Sequence, residues 1–262
     1  MDQPPFIAET PPTPASKAPS TSLAARLLNV FAIPGDVFDE IKASPYAAAN
    51  WVVPALIAAV VGALSAVVIF SQPTIQQKIR EQQEQMIEKQ VKAGTMSRAD
   101  ADRAEAMIGK MSNPTMLKVF GAFGAAVGGF VRLFWLGLVL WLLGRWFLKV
   151  RFGYLKAVEV AGLASMISVL GMIVTMLLVV NFGKLTSTPS LALAISDFDM
   201  KNKSHLLLGA LNVFDFWLIG VMASGLARLA GVPFVRAAFL VLGYWIVAEL
   251  VQIFTGLKTL GF

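Results

Sequence analysis

The chain contains no cysteine and only one histidine, His205. Without thiols there can be no disulfide, thiolate metal site or cysteine nucleophile. A Ser/His/Asp triad or a multi-histidine metal centre would rest wholly on His205. That residue falls where the fourth apolar run begins, and a histidine there ordinarily just meets water or headgroups. Charge is scarce too. Asp, Glu, Lys and Arg make up 15% of the residues, against about 25% in a soluble domain. The basic surplus, +6 overall, is not gathered into a basic helix with interleaved aromatics, so nucleic acid is not an expected partner. Basic residues flanking membrane spans explain it more simply. No cofactor is expected, and one histidine with no clustered polar motif argues against an enzyme.

The chain is rich instead in long apolar runs, with 56% hydrophobic residues and a mean hydropathy of +0.69. Five runs, at about residues 51–70, 119–143, 157–183, 205–227 and 234–257, reach the roughly 20 residues that a helix needs to cross the hydrocarbon core. Lipid offers no partner for a bare backbone, so these runs should be helices. The expected fold is an all-α, polytopic membrane protein with five transmembrane helices in a membrane domain spanning residues 23–257. Pro54 is expected in the first turn of span one, where its missing N–H matters least.

The remaining segments read differently. Residues 1–22 are rich in Pro, Ser, Thr and Ala without an apolar core, and read as a disordered tail rather than a signal peptide. In residues 23–45, Leu23, Leu27, Val30 and Phe31 recur at helical spacing. Pro34-Gly35 interrupts them, and Val37, Phe38 and Ile41 then form a second apolar face. Two short amphipathic helices at the membrane surface fit this pattern, either lying in the interface or packed against the bundle. Residues 71–114 hold seven Lys/Arg and six Asp/Glu and read as a polar helical hairpin outside the bilayer. Gly94 would act as a C-cap, and Ser97 with Asp100 as a capping signal.

Within span two, GAFGAAVGGF lacks the strand and the Gly-Lys-Ser/Thr of a phosphate loop. Its glycines, Gly121, Gly124, Gly128 and Gly129, read as helix-packing positions. Ionisable residues inside spans are costly, which makes each a functional candidate. Arg132, Asp215 and Glu249 can share one depth and form an intramembrane ion pair, with Asp215 the favoured partner. The alternative is a proton or substrate relay. Lys156 and Glu159 should form an ion pair at the interface. A membrane aspartyl protease would need two facing aspartates, and only Asp215 lies in a span.

Lys and Arg crowd the links between spans two and three and between spans four and five. That distribution puts the N-terminus in the cytoplasm, and the hairpin and C-terminus outside.

Phe31-Ala-Ile-Pro34, Val37-Phe38-Asp39-Glu40-Ile41, Pro45 and Trp51-Val-Val-Pro54 resemble the Yip domain family, named for eukaryotic members that interact with Rab/Ypt GTPases. Phe152-Gly-Tyr-Leu-Lys-Ala-Val-Glu159 with Ala164-Ser165 is similar to that family at the entry to span three. The five-span layout looks like its prokaryotic members, although the eukaryotic DLYGP-type motif is absent as such. The resemblance implies a bacterial inner-membrane protein with a membrane-organising or trafficking role and no enzymatic chemistry. Its partners would be the lipid bilayer and either other membrane proteins or further copies of itself. A small transporter or channel component using Arg132, Asp215 and Glu249 is the alternative.

Overall fold

A computed structural model describes residues 21–111 and 113–256, apart from the side chains of Lys110 and Met111. Most of the expected disordered tail lies outside these residues. Thr21 and Ser22 already belong to the fold, and the Ser22 hydroxyl accepts the Ala25 N–H at 3.2 Å to start the first helix. The described helices are α1 (Leu23–Ala32), α2 (Pro34–Ala43), α3 (Ala49–Phe70), α4 (Pro73–Lys92), α5 (Arg98–Met111), α6 (Pro114–Leu142), α7 (Tyr154–Phe182), α8 (Lys203–Ala210), α9 (Val213–Ala230) and α10 (Phe234–Thr255). A π-turn, Leu143–Phe147, ends α6, and a 3₁₀ turn, Leu191–Ala194, lies in the loop after α7.

Five helices, α3, α6, α7, α9 and α10, are long and apolar enough to cross a membrane. α3, α6 and α7 pack together, and α9 lies between α7 and α10. α1 and α2 lie against the end of the bundle where α3 and α7 begin. Val30, Val37, Phe38 and Ile41 are buried there, while Phe31 meets Trp217 of α9 edge-on at 5.8 Å. The α4–α5 hairpin occupies the opposite end. Gly94 takes φ +69 after α4. At the start of α5, the Asp100 N–H donates to the Ser97 hydroxyl at 3.1 Å, and that hydroxyl donates to the Asp100 carboxylate at 2.6 Å.

The fourth span differs from its expected bounds of 205–227. The apolar run contains two helices, α8 and α9, separated at Leu211-Asn212. Asn212 accepts the Phe214 N–H at 2.9 Å, which caps α9 and forces a fresh start. His205 therefore belongs to α8. There its Nδ1 accepts the Asp199 N–H at 3.0 Å and its ring lies 5.7 Å from Phe198. Asp215 stands in the first turn of α9 rather than partway down a longer span.

Span one also begins earlier, at Ala49, so Pro54 lies inside α3 rather than in its first turn. Without an N–H, Pro54 cannot satisfy the Asn50 carbonyl one turn back. Gly162 of α7 packs against that same carbonyl. A Cβ on Gly162 would fall 2.8 Å from Asn50 O and 2.5 Å from the Trp51 Cα.

The expected glycine face of α6 needs correction. Of its four glycines, only Gly121 is pressed against a neighbour, where a Cβ would come 2.6 Å from the Phe70 ring. Gly124, Gly128 and Gly129 have no such neighbour within 4 Å. Close approaches occur elsewhere: Gly62 against Ala125, Gly137 against Val158, Gly171 against Phe214, and Gly225 against Val160 and Phe38. Periodicity shows which small residues share a face, but the partner helix decides which face is used.

Gly162→Leu should therefore lower thermal stability in detergent strongly, since overpacking typically costs about 1–3 kcal/mol and here the obstacle is backbone. Gly124→Leu should leave the melting temperature nearly unchanged. Equal effects would refute this assignment of packing faces.

Candidate functional site: a buried polar clasp and an intramembrane charge cluster

Glu159 lies one turn into α7 and has 0% of its surface exposed. The expected ion pair with Lys156 is present, the ammonium sitting 2.8 Å from Oε2. It is not a simple interfacial pair, however. Oε1 accepts the Ala47 N–H at 3.0 Å and the Asn50 side-chain amide at 2.7 Å. Oε2 relies on Lys156, an ionic contact whose angles fall outside hydrogen-bond geometry. Lys156 also donates to the carbonyls of Ile41 at 2.8 Å and Pro45 at 3.2 Å.

Asn50 extends the network. Its amide NH₂ serves Glu159, and its oxygen accepts from Arg26 of α1 at 3.3 Å. Arg26 is itself only 8% exposed and pairs with Glu40 of α2 at 3.3 Å. Thr21 donates to the same Glu40 oxygen. Two cations and two carboxylates thus balance inside one clasp joining α1, α2, α3 and α7. Nearby, Arg228 at the end of α9 pairs with Asp39 of α2 at 3.0 Å. A buried charge is tolerable only when paired and hydrogen-bonded; Glu159 is paired with Lys156 through Oε2 and hydrogen-bonded through Oε1.

Sequence reasoning found the Lys156–Glu159 pair but missed Arg26 and Asn50. The available signals were an arginine placed among the apolar residues of α1 and an asparagine at the mouth of an apolar run.

The second group lies within the spans. Arg132 of α6 lies within electrostatic reach of Asp215 of α9 and Glu249 of α10. Asp215 and Glu249 also feel each other. Trp135, one turn along α6, donates its indole N–H to the Tyr244 hydroxyl of α10 at 2.7 Å. The Trp135–Tyr244 bond thus links α6 to α10, although α6 packs chiefly on α3 and α7. Among the described residues, no group of three His, Cys, Asp or Glu side chains could hold a metal ion.

These features define a class: a multi-pass α-helical membrane protein whose N-terminal helices are clasped to one end of the bundle. The chain belongs to the Yip1 domain family, whose model matches residues 28–255. No curated protein and no solved structure matches it significantly. The residues that carry the resemblance converge on the clasp. Glu40, Ile41 and Pro45 feed Arg26 and Lys156, Trp51 lies against Gly162, and Glu159 is the hub.

Glu159→Leu leaves Lys156 and Asn50 without their buried acceptor. It should destabilise the protein by about 3–5 kcal/mol, the range for breaking a buried pair. At roughly 2–4 °C per kcal/mol, the detergent melting temperature should fall by about 6 °C or more. A shift below about 2 °C would show that the clasp is not structurally important.

Proposed function

We propose that the protein acts without catalysis of its own, as a membrane-organising or trafficking-like component working through helix–helix and protein contacts. The observation supporting this reading is the clasped α1–α2 cap. Its buried Arg26 is neutralised by Glu40, and its surface presents apolar residues, among them Leu28 at 72% exposure, Ile33 and Tyr46. Trp146 and Phe147 in the π-turn after α6 add to the exposed aromatic surface at that end. Such a surface suits contact with lipid headgroups and neighbouring membrane proteins.

On this reading the protein sits in a bacterial inner membrane with its N-terminus in the cytoplasm. Arg145, Lys149, Arg151, Lys156, Arg228 and Arg236 all fall in the segments at the α1–α2 end, which favours the cytoplasmic side for that end. A photoreactive residue replacing Leu28 in living cells should form discrete adducts with cytoplasmic or membrane proteins, or with a second copy of this chain. Adducts with lipid alone would count against the contact role. Adducts with proteins from the outer side would reverse the orientation.

Arg132, Asp215 and Glu249 support a second reading, a small transporter or channel component that moves a proton or polar solute past this cluster. A static tie and a transport site differ in how they respond to substitution. If the cluster is a static tie, Arg132→Leu should cost about 3–5 kcal/mol. Adding Asp215→Asn or Glu249→Gln should then restore much of the loss. Failure of both double variants to recover would favour an arginine facing a watery path, and with it transport.

A further inference from the structure

At the hairpin end, a cavity of about 670 Å³ lies between α4 and the loop that follows α7. This is within the usual range for small-ligand sites, about 300–1,000 Å³. One wall is a single face of α4: Lys78, Gln82, Gln85, Met86 and Lys89 recur at helical spacing. The facing wall includes Lys184, Thr186, Asp197, Asp199 and Lys201.

Two of the lysines build the site rather than fill it. Lys78 donates to the Gly183 carbonyl at 2.8 Å, fixing α4 to the C-terminus of α7. Lys184 donates to the Ser196 carbonyl at 2.6 Å and pins the loop. Lys89 and Lys201 have ammonium groups with no hydrogen bond or ion pair to a described residue. The Asp199 carboxylate is engaged by the Lys201 backbone N–H at 2.9 Å. Four lysines face two aspartates, so the lining keeps an excess of positive charge, with amide and hydroxyl donors beside it.

Gly183 ends α7 with φ +60, so the cavity lies at one end of a helix long and apolar enough to cross a membrane. Met86, Leu185 and Met200 add exposed apolar side chains to the lining. Flexible methionines adapt to irregular apolar groups. Ammonium groups beside neutral donors suit an anionic phosphoryl oxygen, and apolar side chains at the end of a candidate span suit the glycerol and upper acyl chain attached to it.

We propose that this cavity is a phosphoryl-group site filled from the membrane by the headgroup of an anionic phospholipid. The test uses full-length protein in neutral detergent, with phosphatidylglycerol or phosphatidylcholine as probe and retained lipid measured by native mass spectrometry. Phosphatidylglycerol should bind preferentially. Lys89→Gln combined with Lys201→Gln should weaken that binding at least tenfold. Lys92→Gln combined with Arg103→Gln removes the same charge from exposed pairs outside the cavity and should leave binding unchanged. Equal binding by the two double variants, or phosphatidylcholine binding as well as phosphatidylglycerol, would overturn the site. Millimolar glycerol 3-phosphate separates the two sources of the group. Retention of the lipid supports the headgroup assignment, whereas its displacement would overturn the membrane origin in favour of a soluble phosphate ester.

Discussion

A carboxylate with no surface open to solvent must find every partner inside the protein, and Glu159 finds its partners on separate segments. Ala47 lies in the turn before α3, Asn50 in the first turn of α3, and Lys156 one turn back on α7. Lys156 in turn holds the Ile41 and Pro45 carbonyls. The charge is satisfied only when the α2–α3 link, α3 and α7 stand in one register. The apolar contacts of α1 and α2 supply hydrophobic burial without selecting that register. The ionic clasp selects it, because a shift of one residue would leave a charge uncompensated where water cannot reach.

Small residues then decide how near the helices come. Gly162 lets α7 approach the α3 backbone at the level of Asn50, where Pro54 has removed an N–H from the helical ladder. The close approach and the clasp thus sit on the same turn of α3. A side chain at Gly162 would push apart the helices that the Asn50–Glu159 bond holds at 2.7 Å. Gly225 allows the same intimacy between α9, Val160 of α7 and Phe38 of α2. The α1–α2 cap is therefore integral to the bundle: Phe38 and Ile41 are fully buried.

Much of this architecture was legible in the residues. Hydrophobic length located the membrane helices, because a lipid-facing helix must be apolar nearly all round. Gly94 and the Ser97–Asp100 pair marked the hairpin turn, because caps have local chemistry. The break at Leu211-Asn212 was hidden because apolar residues continue on both sides. Only the Asn212 cap betrays it, and a single asparagine in a hydrophobic run carries little weight in a hydropathy average. The glycine face of α6 was misread because Gly124 and Gly128 satisfy the spacing rule but have no helix opposite. Glu159 was placed at the interface by its distance from the end of its run. Its burial depends on α1, α2 and α3 folding over it, which no window of sequence around residue 159 contains.

The restart of α9 also changes the balance within the intramembrane cluster. An acid in the first turn of a helix lies beside unpaired backbone N–H groups and the positive end of the helix dipole. Asp215 occupies that position. Glu249 lies in the body of α10. Arg132 acts on both carboxylates, and the start of α9 adds a favourable field at Asp215. The cap at Asn212 thus does more than shorten a span. It places Asp215 at a helix start, where the positive end of the dipole and the Arg132 guanidinium act on the same carboxylate.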